Sequence, residues 1–118
     1  LRLRGKQNKH VWYMPLLNMD AVTEGRIPFD TFAQELRTFD QHVEMKGAGL
    51  IHCLQGANRS GAVIVAYLMA KCKIGVATAL RYAQELRPII DIAESGPGCR
   101  VPLGDWLTEH EEKLRFCF

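Results

Sequence analysis

From Ala62 to Ala70 the chain reads Ala-Val-Ile-Val-Ala-Tyr-Leu-Met-Ala, apolar almost without interruption. A helix that is apolar on every side belongs in the middle of a core, so the rest of the chain has to wrap around this one. Ahead of it, Gly49-Leu50-Ile51-His52 reads as a short apolar strand, and a loop then runs from Cys53 to Arg59. Strand, loop and buried helix in that order predict an α/β domain. They place the loop at the carboxyl end of the strand and the amino end of the helix. Such a position binds anions, because unpaired N–H groups at the helix start point outward and the helix dipole adds partial positive charge.

The residue types inside the loop narrow the chemistry to phosphoryl transfer. Cys53 is a nucleophile only as a thiolate, and a helix N-terminus with a neighbouring arginine lowers a cysteine pKa from about 8.5 to roughly 3.5–7.5. Arg59 presents a planar fork able to hold two phosphate oxygens at once. Gly56 permits positive φ and Asn58 tolerates it, so the N–H groups of Leu54, Gln55, Gly56, Ala57, Asn58 and Arg59 can curl into one concave nest. Ser60 carries a hydroxyl placed to hydrogen-bond the sulfur and help it leave. His52 stands next to the nucleophile, where it can brace the loop. Two blander readings compete. A His-Cys pair can be half of a zinc site, but no Cys-x-x-Cys or His-x-x-x-His partner exists in the chain. A lone thiol is most often a buried structural residue, a reading weakened here by Gly56, Arg59 and Ser60 in register. The Gly-Lys-Ser/Thr ending of a nucleotide P-loop is absent.

His52-Cys53-x-x-Gly56-x-x-Arg59-Ser60-Gly61 resembles the signature of the protein-tyrosine-phosphatase superfamily, and the Ala62–Met69 run resembles the helix of its dual-specificity branch. The similarity extends from about Val11 to Leu86 and weakens beyond Pro88. The resemblance implies an α/β fold with a central sheet flanked by helices. The family's domain begins with strands and a helix ahead of the strand read here at His10–Leu17, and nine residues leave no room for them. The expected sheet is therefore truncated at the N-terminus, with an uncovered edge and marginal stability. Residues 1–9, with Arg2, Arg4, Lys6 and Lys9 and no acid, read as a basic tail or linker, with a docking arm as the other reading. Residues 10–118 read as the partial catalytic domain.

The resemblance also implies a mechanism: a phosphocysteine forms on Cys53, Arg59 holds the equatorial oxygens, and an aspartate protonates the leaving oxygen. In the family that acid lies on a mobile loop roughly thirty residues before the cysteine. Asp20, thirty-three residues ahead of Cys53 and expected in a loop just past a strand, is the first choice. Asp30 is the second, although a helix N-cap explains it better. Asp40 is expected on the solvated face of a helix. No metal or other cofactor is required by such a site, since Arg59 and the helix end supply the positive charge. The implied substrate is a phosphorylated protein. Leu54, Gln55, Ala57 and Asn58 are uncharged, whereas lipid-directed relatives commonly carry lysines there. Two other readings use the same loop: a pseudophosphatase that only binds phosphorylated partners, and a phosphatase for lipid or RNA 5′-phosphates.

Composition sets outer limits. At 118 residues one domain is expected. Fifteen basic against thirteen acidic side chains is too even a balance to suggest nucleic acid. No stretch of eighteen apolar residues predicts a membrane span, and no basic-apolar-small pattern predicts a secretory leader. Cysteines at 53, 72, 99 and 117 have no framework spacing, so reduced thiols in an intracellular compartment are expected. Along the chain, Asn18-Met19-Asp20 is expected to enter a polar loop with a turn at Glu24-Gly25. A helix follows, started by a Thr31-x-x-Gln34 capping box, striped by Phe32, Leu36, Phe39 and Val43, and stopped at Gly47. After the buried helix, Val76, Leu80, Ala83 and Leu86 form the inner stripe of another. Leu103, Trp106, Leu107 and Leu114 form the stripe of a last one. Met14, Met45, Met69 and Tyr82 are expected to pack.

Overall fold

The computed structural model describes residues 19–47, 59–92 and 103–118, and among these the chain is helical. The elements are α1 (Met19–Thr23), α2 (Phe29–Lys46), α3 (Arg59–Cys72), α4 (Val76–Leu86), α5 (Leu103–Glu109) and α6 (Glu111–Arg115). No strand occurs among the described residues, so the central sheet expected from the sequence is not what these segments build. The physical reason lies in their spacing. Their apolar residues recur every three or four positions, the repeat that buries helix against helix, whereas a sheet face needs every second position. The two stretches read as strands, His10–Leu17 and the run entering Cys53, lie outside the described residues.

α3 is the centre of the core, as its apolar run requires. Ala62, Val63, Val65, Ala66, Met69 and Ala70 are buried, and α1, α4, α5 and α6 all pack on it. Ala79 and Ala83 are the buried residues of α4, small enough for its axis to come close to that of α3. Leu86, expected on the inner stripe, is 84% exposed, because the stripe drifts outward in the last turn. Met69 packs as expected, while Met45 and Tyr82 stand exposed.

α2 reaches the core through long side chains. Phe32 and Leu36 are buried, and Phe39 meets the Tyr67 ring edge-on with centroids 5.2 Å apart. The helix stops at Gly47 in left-handed backbone, as expected, but the capping box is not made. Pro28 is the N-cap, its extended backbone turning its carbonyl toward the N–H groups of Thr31 and Phe32. The Gln34 side chain instead accepts from the Arg37 guanidinium at 2.9 Å.

The joint between α3 and α4 is closed from outside. Lys73 stands in left-handed backbone at φ 59, and the Ile74 N–H closes back on the Met69 carbonyl, a helix ending that usually uses glycine. Glu111 of α6 then accepts the Val76 N–H at 2.8 Å, satisfying one of the bare donors at the start of α4. The expected last helix is two, broken at His110, yet Leu103, Trp106, Leu107 and Leu114 are all buried.

Candidate active site

α3 carries the end of the signature into the core. Arg59 is its first residue, Ser60 is 1% exposed, and Gly61 is buried after it. Helix geometry explains the arrangement: the first N–H groups of a helix have no carbonyl within it to bond and point outward along its axis, where the dipole is positive. Cys53, His52, Leu54, Gln55, Gly56, Ala57 and Asn58 lie outside the described residues.

Gly61 is a site of close approach. A Cβ built on it would lie 2.9 Å from Ile90 Cγ2, closer than two carbons can sit. Ile90 is itself buried and belongs to a short segment held from both ends. The Gln84 side-chain amide donates to the Ile90 carbonyl at 3.0 Å, and the Gly104 N–H donates to the Ile92 carbonyl at 2.8 Å. A glycine within a helix costs up to about 1 kcal/mol against alanine, and the close approach of Ile90 is a physical reason for one at this turn.

Asp20 is not in a loop. It is the second residue of α1, a helix made because Met19, Ala21 and Val22 are apolar and buried. The helix closes at the expected Glu24-Gly25 turn, with Gly25 at φ 80 and the Arg26 N–H bonded to the Ala21 carbonyl at 2.8 Å. α1 packs against α3, so the elements bearing Asp20 and Arg59 are neighbours. Asp30 is exposed in the first turn of α2 and is not its N-cap.

Asp40, expected on a solvated face, is only partly exposed and is engaged by α3. It accepts the Tyr67 hydroxyl at 2.8 Å and pairs with Lys71 at 2.9 Å, while Lys71 also pairs with Glu44. Burial and then the hydrogen bond to Asp40 push the Tyr67 phenol up to about 12. Glu44 and then Asp40 hold the Lys71 ammonium charged above its ordinary range. Sequence reasoning missed this network, although its signal is present: Asp40 and Glu44 are four apart on one helix, and Tyr67 and Lys71 four apart on the other. Of the other cysteines, Cys72 is exposed, while burial pushes the half-buried Cys117 thiol up.

Residues 4–95 match the family described as dual specificity phosphatase, catalytic domain. The chain belongs to that family. Its match to the family covers more at both ends than the Val11–Leu86 resemblance read from the motifs. Human dual specificity phosphatase 28 is 33% identical over 103 residues, covering 80% of this chain and 54% of the relative. Dual specificity protein phosphatase OPG106 of vaccinia virus is 41% identical over 66 residues, 56% of this chain and 36% of the relative. Human protein phosphatase Slingshot homolog 3 is 45% identical over 49 residues, 42% of this chain and 7% of the relative. The chain thus spans about half, or less, of the curated relatives it matches. No solved structure gives a significant match.

Proposed function

We propose that this chain is the catalytic part of a cysteine-dependent phosphoprotein phosphatase. The observation that carries the reading is the His52-Cys53-x5-Arg59-Ser60 signature running into a buried α3, inside a family match that spans residues 4–95. The Cys53 thiolate attacks phosphorus in line, a sulfur–phosphorus bond forms, and the bond to the leaving oxygen breaks. Arg59 and the N–H groups of Leu54 to Arg59 hold the three equatorial oxygens, mostly by preorganised electrostatics. Asp20 gives its proton to the leaving oxygen, then takes one from the water that attacks the phosphocysteine. That second step releases inorganic phosphate and returns the thiolate. Ser60, whose buried position suits a fixed donor, hydrogen-bonds the departing sulfur. Uncharged side chains at 54, 55, 57 and 58 favour a phosphoprotein over a phosphoinositide. A thiolate nucleophile suits a reducing intracellular compartment.

One observation favours a second reading. Asp20 sits in a closed helix where a mobile acid loop was expected, and a domain whose acid is misplaced would bind phosphorylated partners without turning them over. Release of nitrophenol from p-nitrophenyl phosphate, inhibited by vanadate, supports the enzyme. Vanadate binding with no release supports the pseudophosphatase.

A further inference from the structure

The start of α3 meets a residue twenty-nine positions beyond Gly61 that the chemistry above does not use. All three branch-point atoms of Ile90 face Gly61: a Cβ placed there would stand 2.9 Å from Cγ2, 3.6 Å from Cγ1 and 3.7 Å from Cβ. The contact is made by the β-branch, not by the side chain's tip. Ile90 is 2% exposed and does not wander, because the Gln84 amide holds its carbonyl and its own N–H bonds the Arg87 carbonyl at 3.1 Å. Ile92, buried two residues on, is tied to α5 through the Gly104 N–H. A rigid, apolar, doubly anchored group thus bears on the backbone of the same turn that holds Arg59 and Ser60.

We propose that Ile90 is a positioning residue for the phosphate-binding turn, setting the backbone of Arg59 and Ser60 by seating its β-branch on Gly61. The inference rests on the phosphatase reading. It separates shape from bulk. Ile90→Val keeps both γ-carbons against Gly61 and loses only the tip. Ile90→Leu keeps the volume and moves the branch one carbon out. If Ile90 merely fills space, leucine serves at least as well as valine. If it positions the turn, valine serves and leucine does not.

The test measures the inhibition constant of vanadate, and kcat and KM on p-nitrophenyl phosphate, with thermal melts beside them. Ile90→Leu should weaken vanadate about tenfold, since displacements of about 1 Å at a catalytic site cost up to 10²-fold. Ile90→Val should bind within about twofold of the parent. Should Ile90→Leu fail to fold, Gln84→Leu carries the test from outside the core: losing the hold on the Ile90 carbonyl should weaken vanadate in the same direction. Parent-like vanadate binding in Ile90→Leu, an equal loss in Ile90→Val, or an unchanged Gln84→Leu would overturn the proposal. A parent protein that binds vanadate but releases no nitrophenol overturns the phosphatase reading alone, since positioning is still read through binding. A parent that does neither overturns both.

Discussion

The two ends of α3 are fastened by opposite chemistries. At its start, the backbone of Gly61 meets the hydrocarbon branch of Ile90. Further along, Tyr67 and Lys71 are held by the carboxylates of Asp40 and Glu44, and aromatic rings of Phe39 and Phe118 close on Tyr67. The division follows from what each end faces. A carboxylate beside a turn that binds a phosphate dianion would repel it and raise the pKa of the neighbouring thiol. Asp40 and Glu44 act where Tyr67 and Lys71 stand, eight and twelve residues beyond Arg59, or roughly 12 and 18 Å at 1.5 Å per residue. That exceeds a Debye length of about 8 Å at physiological salt, so these acids hold the helix without opposing an anion bound at its start, as the proposed function requires. Position near the site is fixed by shape, and stability away from it by charge.

The largest effect that would sharpen this contrast lies at the start. Asp20→Asn should slow turnover of phosphotyrosine peptides about 10²-fold, the usual worth of acid catalysis. On p-nitrophenyl phosphate, whose leaving group departs nearly unaided, the loss should be clearly smaller. Asp30→Asn should do little on either substrate; if the two variants exchange behaviour, the acid is Asp30. Next, Gly61→Ala drives a methyl into Ile90 and should destabilise by about 1–3 kcal/mol in urea melts, the usual cost of overpacking. A stabilised variant would mean the contact yields, and the shape half of the contrast would fail.

The far end should respond through protons. Tyr67→Phe removes the bond to Asp40 and should cost roughly 0.5–1.5 kcal/mol at neutral pH. Because the folded-state pKa is raised from 10.0 to about 12, the stabilisation is fully present below pH 10 and is lost as pH rises toward about 12. Stability of the parent minus that of Tyr67→Phe should therefore shrink across that window, and a constant difference would remove Asp40 from the account. The smallest expected change is Lys73→Gly, which relieves left-handed backbone but gives up the Lys73 bond to the Phe118 carbonyl at 3.0 Å. Relief of about 1 kcal/mol should leave a small net gain in melting temperature.

The sequence showed most plainly what periodicity and punctuation encode. The apolar run placed α3 at the centre, Gly47 and Gly25 marked real stops, and Leu103, Trp106, Leu107 and Leu114 all reached the core. Of the readings that failed, three show the local reason most clearly. The capping box lost to Pro28, because a proline carbonyl in extended backbone already receives the first helical N–H groups. Asp20 looked like a loop residue because Asn18 and Asp20 flank Met19, but burial of Met19, Ala21 and Val22 drives the segment to close into a helix. Asp40 looked solvated because one helix viewed alone does not reveal what faces it, and its partners come from twenty-seven residues away or more. At the site, the signature pointed to the family that residues 4–95 match, while the seat of Ile90 on Gly61 depended on a tertiary contact that spacing does not carry.

The Glu111 carboxylate at the Val76 N–H also has a kinetic meaning. An eleven-residue helix is too short to persist in isolation, and this one starts from Gly75, which offers no side chain of its own to its bare donors. Its cap arrives from thirty-five residues later in the chain. α4 should then remain frayed in a growing polypeptide until α6 has been synthesised and docked, and its amides should exchange with solvent in step with those of α6. Two segments distant in the chain would form a single cooperative unit, welded at one carboxylate.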